Sequence, residues 1–122
     1  MECAPLKPAR LKRSGDFRRV REQGTSFSGR WLVLGVWRPI DPEYAGSLEP
    51  RFGVVTSRKV GGAVVRNRVR RRIRHIQQAQ HPFLIGTFWC VTVARFRAAS
   101  ASFSELNAEW RKLAKRAGVL QA

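Results

Sequence analysis

Acidic residues are scarce in this chain. Eight Asp and Glu stand among 122 residues, and none falls between Glu49 and Glu105. Two-metal nuclease chemistry needs several convergent carboxylates, and scattered ones cannot supply it. Histidine is nearly absent too. His75 and His81 have no acidic or cysteine neighbours, so no zinc set forms. No Ser/His/Asp or Cys/His arrangement offers an activated nucleophile. The two cysteines, Cys3 and Cys90, give no disulfide framework and read as free thiols of a reducing compartment. No apolar run approaches a membrane span, and the N-terminus lacks an apolar signal core. These absences predict a cytoplasmic protein with no membrane partner, no catalytic residue of its own and no protein-held metal.

Positive charge is what the chain has in excess. It carries 24 Lys and Arg, a formal net charge of +16. A charge of that size repels itself and favours a polyanionic partner. Eleven of the basic residues lie in the acid-free interval from Glu49 to Glu105, mostly as arginine. Arginine pairs bidentately with phosphate and stacks on bases, which favours nucleic acid over a diffuse membrane patch.

The length suits one domain, with residues 1–12, including Pro5 and Pro8, read as a flexible basic arm. Ser14 is placed as the N-cap of a first helix that carries Phe17 and Val20 and stops at Gly24. The run Arg30 to Arg38 alternates as a strand. Trp31, Val33, Gly35 and Trp37 are set on one face, and Leu32, Leu34 and Val36 on the other. Residues 39–50 read as a loop in which a further strand is expected within Tyr44 to Pro50. Arg51 to Thr56 is a strand, Gly61-Gly62 a turn, and Ala63 to Gln80 a helix. Thr87 to Arg95 is β-branched and aromatic. A last helix, capped by Ser102 or Ser104, buries Leu106, Trp110 and Leu113 and ends near Gly118. Trp89 and Trp110 read as core residues. The fold class expected is an α/β (α+β) sandwich on a mixed four-stranded sheet, in the order α-β-β-β-α-β-α.

The stretch Ser57 to Ile76, SRKVGGAVVRNRVRRRIRHI, holds eight Lys and Arg and no acid. It nevertheless keeps Val65, Val69, Ile73 and Ile76 on one helical stripe. With Val69 at the centre of that stripe, Asn67, Arg71 and Arg74 point outward. Arg68 and Arg70 flank them, and Arg66 and Arg72 lie beside the stripe. A solvated helix face usually mixes signs, and like-charged i, i+4 pairs cost a few tenths of a kcal/mol each. Arg66/Arg70, Arg68/Arg72 and Arg70/Arg74 are all such pairs, so a polyanion that relieves them is implied. Arg58 and Lys59 precede a helix start whose amides and dipole favour phosphate. The lysine comes before the glycines, against the order of a P-loop. A helix-turn-helix reading fails because strand and glycine turn, not a helix, precede this segment, and no DNA partner is expected.

Gly53 to His75, GVVTSRKVGGAVVRNRVRRRIRH, closely resembles the arginine-rich motif of the bacterial ribonuclease P protein subunit. Leu11 to Leu34 is similar to that family's first helix and strand, and Gly86 to Ala117 to its last strand and helix. The resemblance implies a left-handed strand–helix–strand crossover, against the general rule. It also implies a ribonucleoprotein that removes the 5′ leader of precursor tRNA. In it the RNA subunit carries the chemistry and holds most of the Mg2+, and the protein raises substrate affinity and lowers the magnesium demand. The partners implied are the RNA subunit, at 1:1, and precursor tRNA. Matched by motif, Arg58, Lys59, Arg66, Asn67, Arg68, Arg70, Arg71 and Arg74 are the expected contacts to the RNA subunit. A cleft for the leader is expected between the first helix and the sheet, with Phe17, Arg18, Arg21, Trp31, Val33 and Trp37. The chain departs from the family pattern at Arg21 and Gly35, where aromatics are usual, at Gly62, where asparagine is common, and in ARFRAA, which lacks a proline. Trp31 or Trp37 is the expected substitute for the lost stacking surface. The alternative reading is a ribosomal or other structural RNA-binding protein of similar fold.

Overall fold

The computed structural model describes residues 9–39 and 50–121. The chain runs β1 (Ala9–Arg10), α1 (Ser14–Gln23), β2 (Thr25–Ser28), β3 (Leu32–Trp37), β4 (Arg51–Thr56), α2 (Ala63–Gln80), β5 (Trp89–Ala94) and α3 (Phe103–Arg116). Short 3₁₀ turns at His81–Phe83 and Phe96–Ser100 follow α2 and β5. The sheet order is β1-β4-β5-β3-β2. β4 and β5 pair in parallel, and α2 carries the chain between them; β3 pairs antiparallel with both β5 and β2. The mixed α/β class is the one expected.

Five strands replace the expected four, because β1 and β2 give no readable period. The expected strand within Tyr44 to Pro50 falls, except for Pro50, outside the described residues, and Pro50 is not in a strand. The arm reading is also corrected over Ala9 to Leu11. Ala9 and Arg10 pair in parallel with Arg51 and Phe52, and the Leu11 N–H donates to the Phe52 carbonyl at 2.8 Å. Leu11 is buried. An apolar anchor and the free edge of β4 hold this segment in place, and residues 1–8 lie outside the described residues. Arg13, rather than Ser14, occupies the N-cap of α1, with no side-chain capping bond. Gly24 ends that helix as expected, its N–H donating to the Val20 carbonyl at 2.9 Å.

Two apolar layers hold the sheet. On one face Leu32, Leu34, Phe52, Cys90 and Ala94 pack against Val69, Ile73 and Ile76 of α2 and Leu106, Trp110 and Leu113 of α3. Each fully buried Val, Leu or Ile among them is worth about 1.5–3 kcal/mol, and the spacing that α2 keeps amid its arginines is what secures the helix to the sheet. The Thr92 hydroxyl accepts from Trp110 Nε1 at 3.1 Å and from Gln77 Nε2 at 3.3 Å inside this layer. On the other face α1 lays Val20 over Trp89 and Val91, with Leu11 beside them. Ser102 caps α3 reciprocally with Glu105, through bonds of 3.1 and 2.8 Å.

Candidate nucleic-acid interface

The arginine helix begins where β4 ends. Val60 is buried, and its N–H donates to the Ser57 carbonyl at 3.0 Å, closing a turn that leaves Arg58 and Lys59 exposed. Gly61 adopts φ +151°, and a Cβ there would meet Val65 Cβ at 2.9 Å, so the entry to α2 requires glycine. Gly62 is the N-cap and offers no side-chain acceptor to the first-turn amides. They stand beside the two exposed cations, an arrangement suited to phosphate.

Among the described residues, neutral acceptors rather than carboxylates engage the arginines of this face. Arg70 donates through Nη2 to Thr56 Oγ1 at 2.6 Å and through Nη1 to Asn67 Oδ1 at 3.1 Å. Arg72 Nη1 donates to the Ala101 carbonyl at 3.2 Å, and Arg68 Nη2 reaches the Ala99 carbonyl at 3.4 Å. These neutral acceptors orient the guanidinium groups and leave their charge uncancelled. Arg66 Nε is buried with no hydrogen-bond partner among the described residues.

Arg10 of β1 joins this face from the sheet edge. A hollow of about 430 Å³ is lined by Arg10, Asn67, Arg70, Arg71, Arg74 and residues of the next turn, His75 and Gln78. Burial first, and then the charges of Arg10 and Arg70, lower the pKa of Arg74. An anion in the hollow would oppose these two Coulomb contributions. A second hollow, of about 530 Å³, shares Arg10, Arg74 and Gln78 with the first and extends to Leu11, Lys12, Phe17 and Gly53. The two form one basic trough along the β1 edge with an aromatic at its far side. Arg10 escaped the sequence reading because Arg10-Leu11-Lys12 alternates over too few residues to signal a strand.

The residues expected in the leader cleft do not all meet. Phe17 lines the trough, half-buried, with its ring over Gly53. Arg18 and Arg21 are exposed on α1. Val33 is half-buried, paired across the ladder with Val93. The middle of the expected cleft floor is covered, because a Cβ on Gly35 would touch Val20 Cγ1 of α1 at 3.4 Å. Trp37 packs edge-on to Trp89 with ring centroids 5.1 Å apart, and it borders a separate hollow of about 320 Å³ at the C-terminal end of α1. Trp31 is a correction: it packs against the core layer of α2 and α3, not on the face of Trp37. It precedes Leu32, the first paired residue of β3, so the strand's alternation does not extend to it.

A family model described as Ribonuclease P matches residues 6–118. A "Ribonuclease P protein component" of Acidothermus cellulolyticus is 43% identical over 107 residues, 88% of this chain and 86% of that protein. One of Chloroflexus aurantiacus is 39% identical over 114 residues, 93% of this chain and 80% of that protein. Among solved structures, the RNase P protein of Staphylococcus aureus superposes with a TM-score of 0.82 at 24% identity, covering 94% of this chain and 100% of that one. The RNase P protein of Thermotoga maritima gives 0.75 at 24% identity, over 88% of this chain and 96% of that one. These two likenesses show the fold.

Proposed function

Because the chain belongs to the ribonuclease P protein family, we infer that the arginine face of α2 binds the RNA subunit of that ribonucleoprotein and that the trough beside it receives the 5′ leader of precursor tRNA. The chain is the protein component of an endoribonuclease whose RNA carries the catalysis. Arg58, Lys59, Arg66, Asn67, Arg68, Arg70, Arg71 and Arg74 are assigned to the RNA subunit, with Arg10 added from β1. Phe17 is assigned to a leader base, with Arg18 and Arg21 near it on α1. The observation that carries this reading is the sharing of Arg10 and Arg74 by both hollows. One continuous row of cations then serves the phosphates of both RNAs, and Phe17 supplies a stacking surface at its end.

Among the described residues no group of three or more His, Cys, Asp or Glu comes together. The described side chains offer no such ligand set, and this reading assigns the Mg2+ to the RNA subunit. The contribution of the protein is positional: neutralising phosphate repulsion lets precursor tRNA bind with fewer cations. A 1:1 complex working in the cytoplasm completes the reading. No helix among the described residues is long and apolar enough to cross a membrane.

The test is precursor-tRNA cleavage at low magnesium by the cognate RNA subunit, with and without the protein. Correct 5′ cleavage restored by the protein is the expected result. RNA binding with no change in cleavage would instead favour a general structural RNA-binding role.

A further inference from the structure

The carboxyl ends of β4 and β5 and the amino end of β3 lie side by side, because Thr56, Ala94 and Leu32 are in register across the sheet. Beyond that line stand two arginine–aromatic stacks. Arg97 lies over the ring of Phe96 at 5.3 Å, and Arg30 lies over Trp31 at 5.3 Å. Arg95 joins them: its N–H donates to the Trp31 carbonyl at 2.8 Å, and its Nη1 donates to the Gly29 carbonyl at 2.9 Å. Phe96 is 59% exposed, the most exposed phenylalanine or tryptophan among the described residues.

An exposed phenylalanine on a loose loop would need no explanation. This one is held rigidly. Ala98, two residues on, is fully buried. The Ala98 N–H donates to the Arg95 carbonyl at 2.9 Å, and Ser100 Oγ donates to the Arg97 carbonyl at 2.9 Å. Arg68 and Arg72 of α2 bond the carbonyls of Ala99 and Ala101. The turn is thereby continuous with the arginine face. Glu109, the carboxylate at this end of the sheet, is engaged by the backbone N–H groups of Arg30, Trp31 and Leu32. Nothing in residues 50–104 is acidic.

We propose that the 3₁₀ turn Phe96–Ser100, with the start of β3, is a second RNA contact, on which one unpaired base of the RNA subunit stacks against Phe96. Arg97 backs the ring, and Arg30 and Arg95 take the flanking phosphates. Base–aromatic stacking tolerates any base, and nearby guanidinium groups strengthen it. The RNA subunit is the occupant because the turn is bonded to α2, whereas Phe17 lies over Gly53 beside the trough at the β1 edge. This inference rests on the assignment of α2 to the RNA subunit.

The experiment is titration of the cognate RNA subunit with the full-length protein and its Phe96→Ala, Phe96→Leu and Phe96→Trp variants across a range of salt. Phe96→Ala and Phe96→Leu are expected to bind about tenfold more weakly. Phe96→Trp should bind like the parent. The salt slope should stay unchanged in all three, since no phosphate contact is removed. Parent-like affinity in Phe96→Ala or Phe96→Leu overturns the platform, and so does a loss that appears only with leader-bearing precursor tRNA. A parent protein that fails to bind the RNA subunit overturns the assignment of α2 as well, so the two failures are distinguishable.

Discussion

Phe17 of α1 occupies the space that a side chain at Gly53 of β4 would need: a Cβ built there falls 2.7 Å from Phe17 Cζ. The missing side chain lets the ring settle onto the sheet and line the trough. Gly53→Ala is therefore expected to overpack, destabilising the protein by about 1–3 kcal/mol in urea unfolding. It should also lift Phe17 out of position. Affinity for leader-bearing precursor tRNA should fall, while affinity for the RNA subunit should hold. Equal losses for both RNAs would separate Phe17 from the leader.

Glu109 binds three successive backbone amides, those of Arg30, Trp31 and Leu32, at 2.7, 2.8 and 2.7 Å. A single carboxylate on α3 thus fixes the entry to β3. Glu109→Ala leaves three amides without that acceptor and is expected to cost about 1.5–3 kcal/mol. Amide exchange should speed up first at residues 30–32. Unchanged stability would mean that water replaces the carboxylate at no cost.

Burial raises the Cys90 thiol from its usual value near 9 to about 12, against a smaller opposing effect of its hydrogen bond with Thr92. Well below pH 9 the thiol is protonated in both folded and unfolded chains and contributes no pH dependence. Between about pH 9 and 12 the unfolded chain releases this proton and the folded one keeps it, so stability falls as pH rises. Cys90→Ala should remove that component of the slope, measured as the difference between the two unfolding curves against pH. The native thiol should also resist alkylation at pH 8 until the protein unfolds.

How far the sequence was legible depends on whether a residue's position follows from its own neighbours. Val69, Ile73 and Ile76 declare α2 because helical spacing is a local property, and they are fully buried. The alternation of Leu32, Leu34 and Val36 declares β3 for the same reason. β1 and β2 exist only through their partners: two residues against Arg51 and Phe52, and four, three of them hydroxyl-bearing, against β3. No period of two can be read from such segments. Trp31 departs from the expected face because alternation holds only inside a hydrogen-bonded ladder, and the ladder starts at Leu32. The arginine face was readable as charge, but its continuation through Arg10 needed the parallel pairing of a segment distant in sequence.

That continuation carries the sharpest electrostatic test. Arg10 and Arg74 face the same hollow from different elements, and the charge of Arg10 helps to lower the Arg74 pKa. Two cations that repel each other in the free protein and share one phosphate-lined partner should contribute alike to counterion release. For the parent protein, affinity for the RNA subunit is expected to drop by about 10³–10⁵ between 50 and 200 mM salt. Arg10→Ala and Arg74→Ala should each make the slope of log K against log salt shallower by about 1. The double variant tests whether they act on the same phosphate. Separate phosphates give a slope change near 2, whereas a shared one gives less. Arg38, whose Nη2 donates to the Gly118 carbonyl at 2.9 Å, lies outside this face, and Arg38→Ala should leave the slope as it is. If Arg10→Ala also leaves the slope unaltered, the trough at the β1 edge is not part of the RNA-binding surface, and only α2 holds the phosphates.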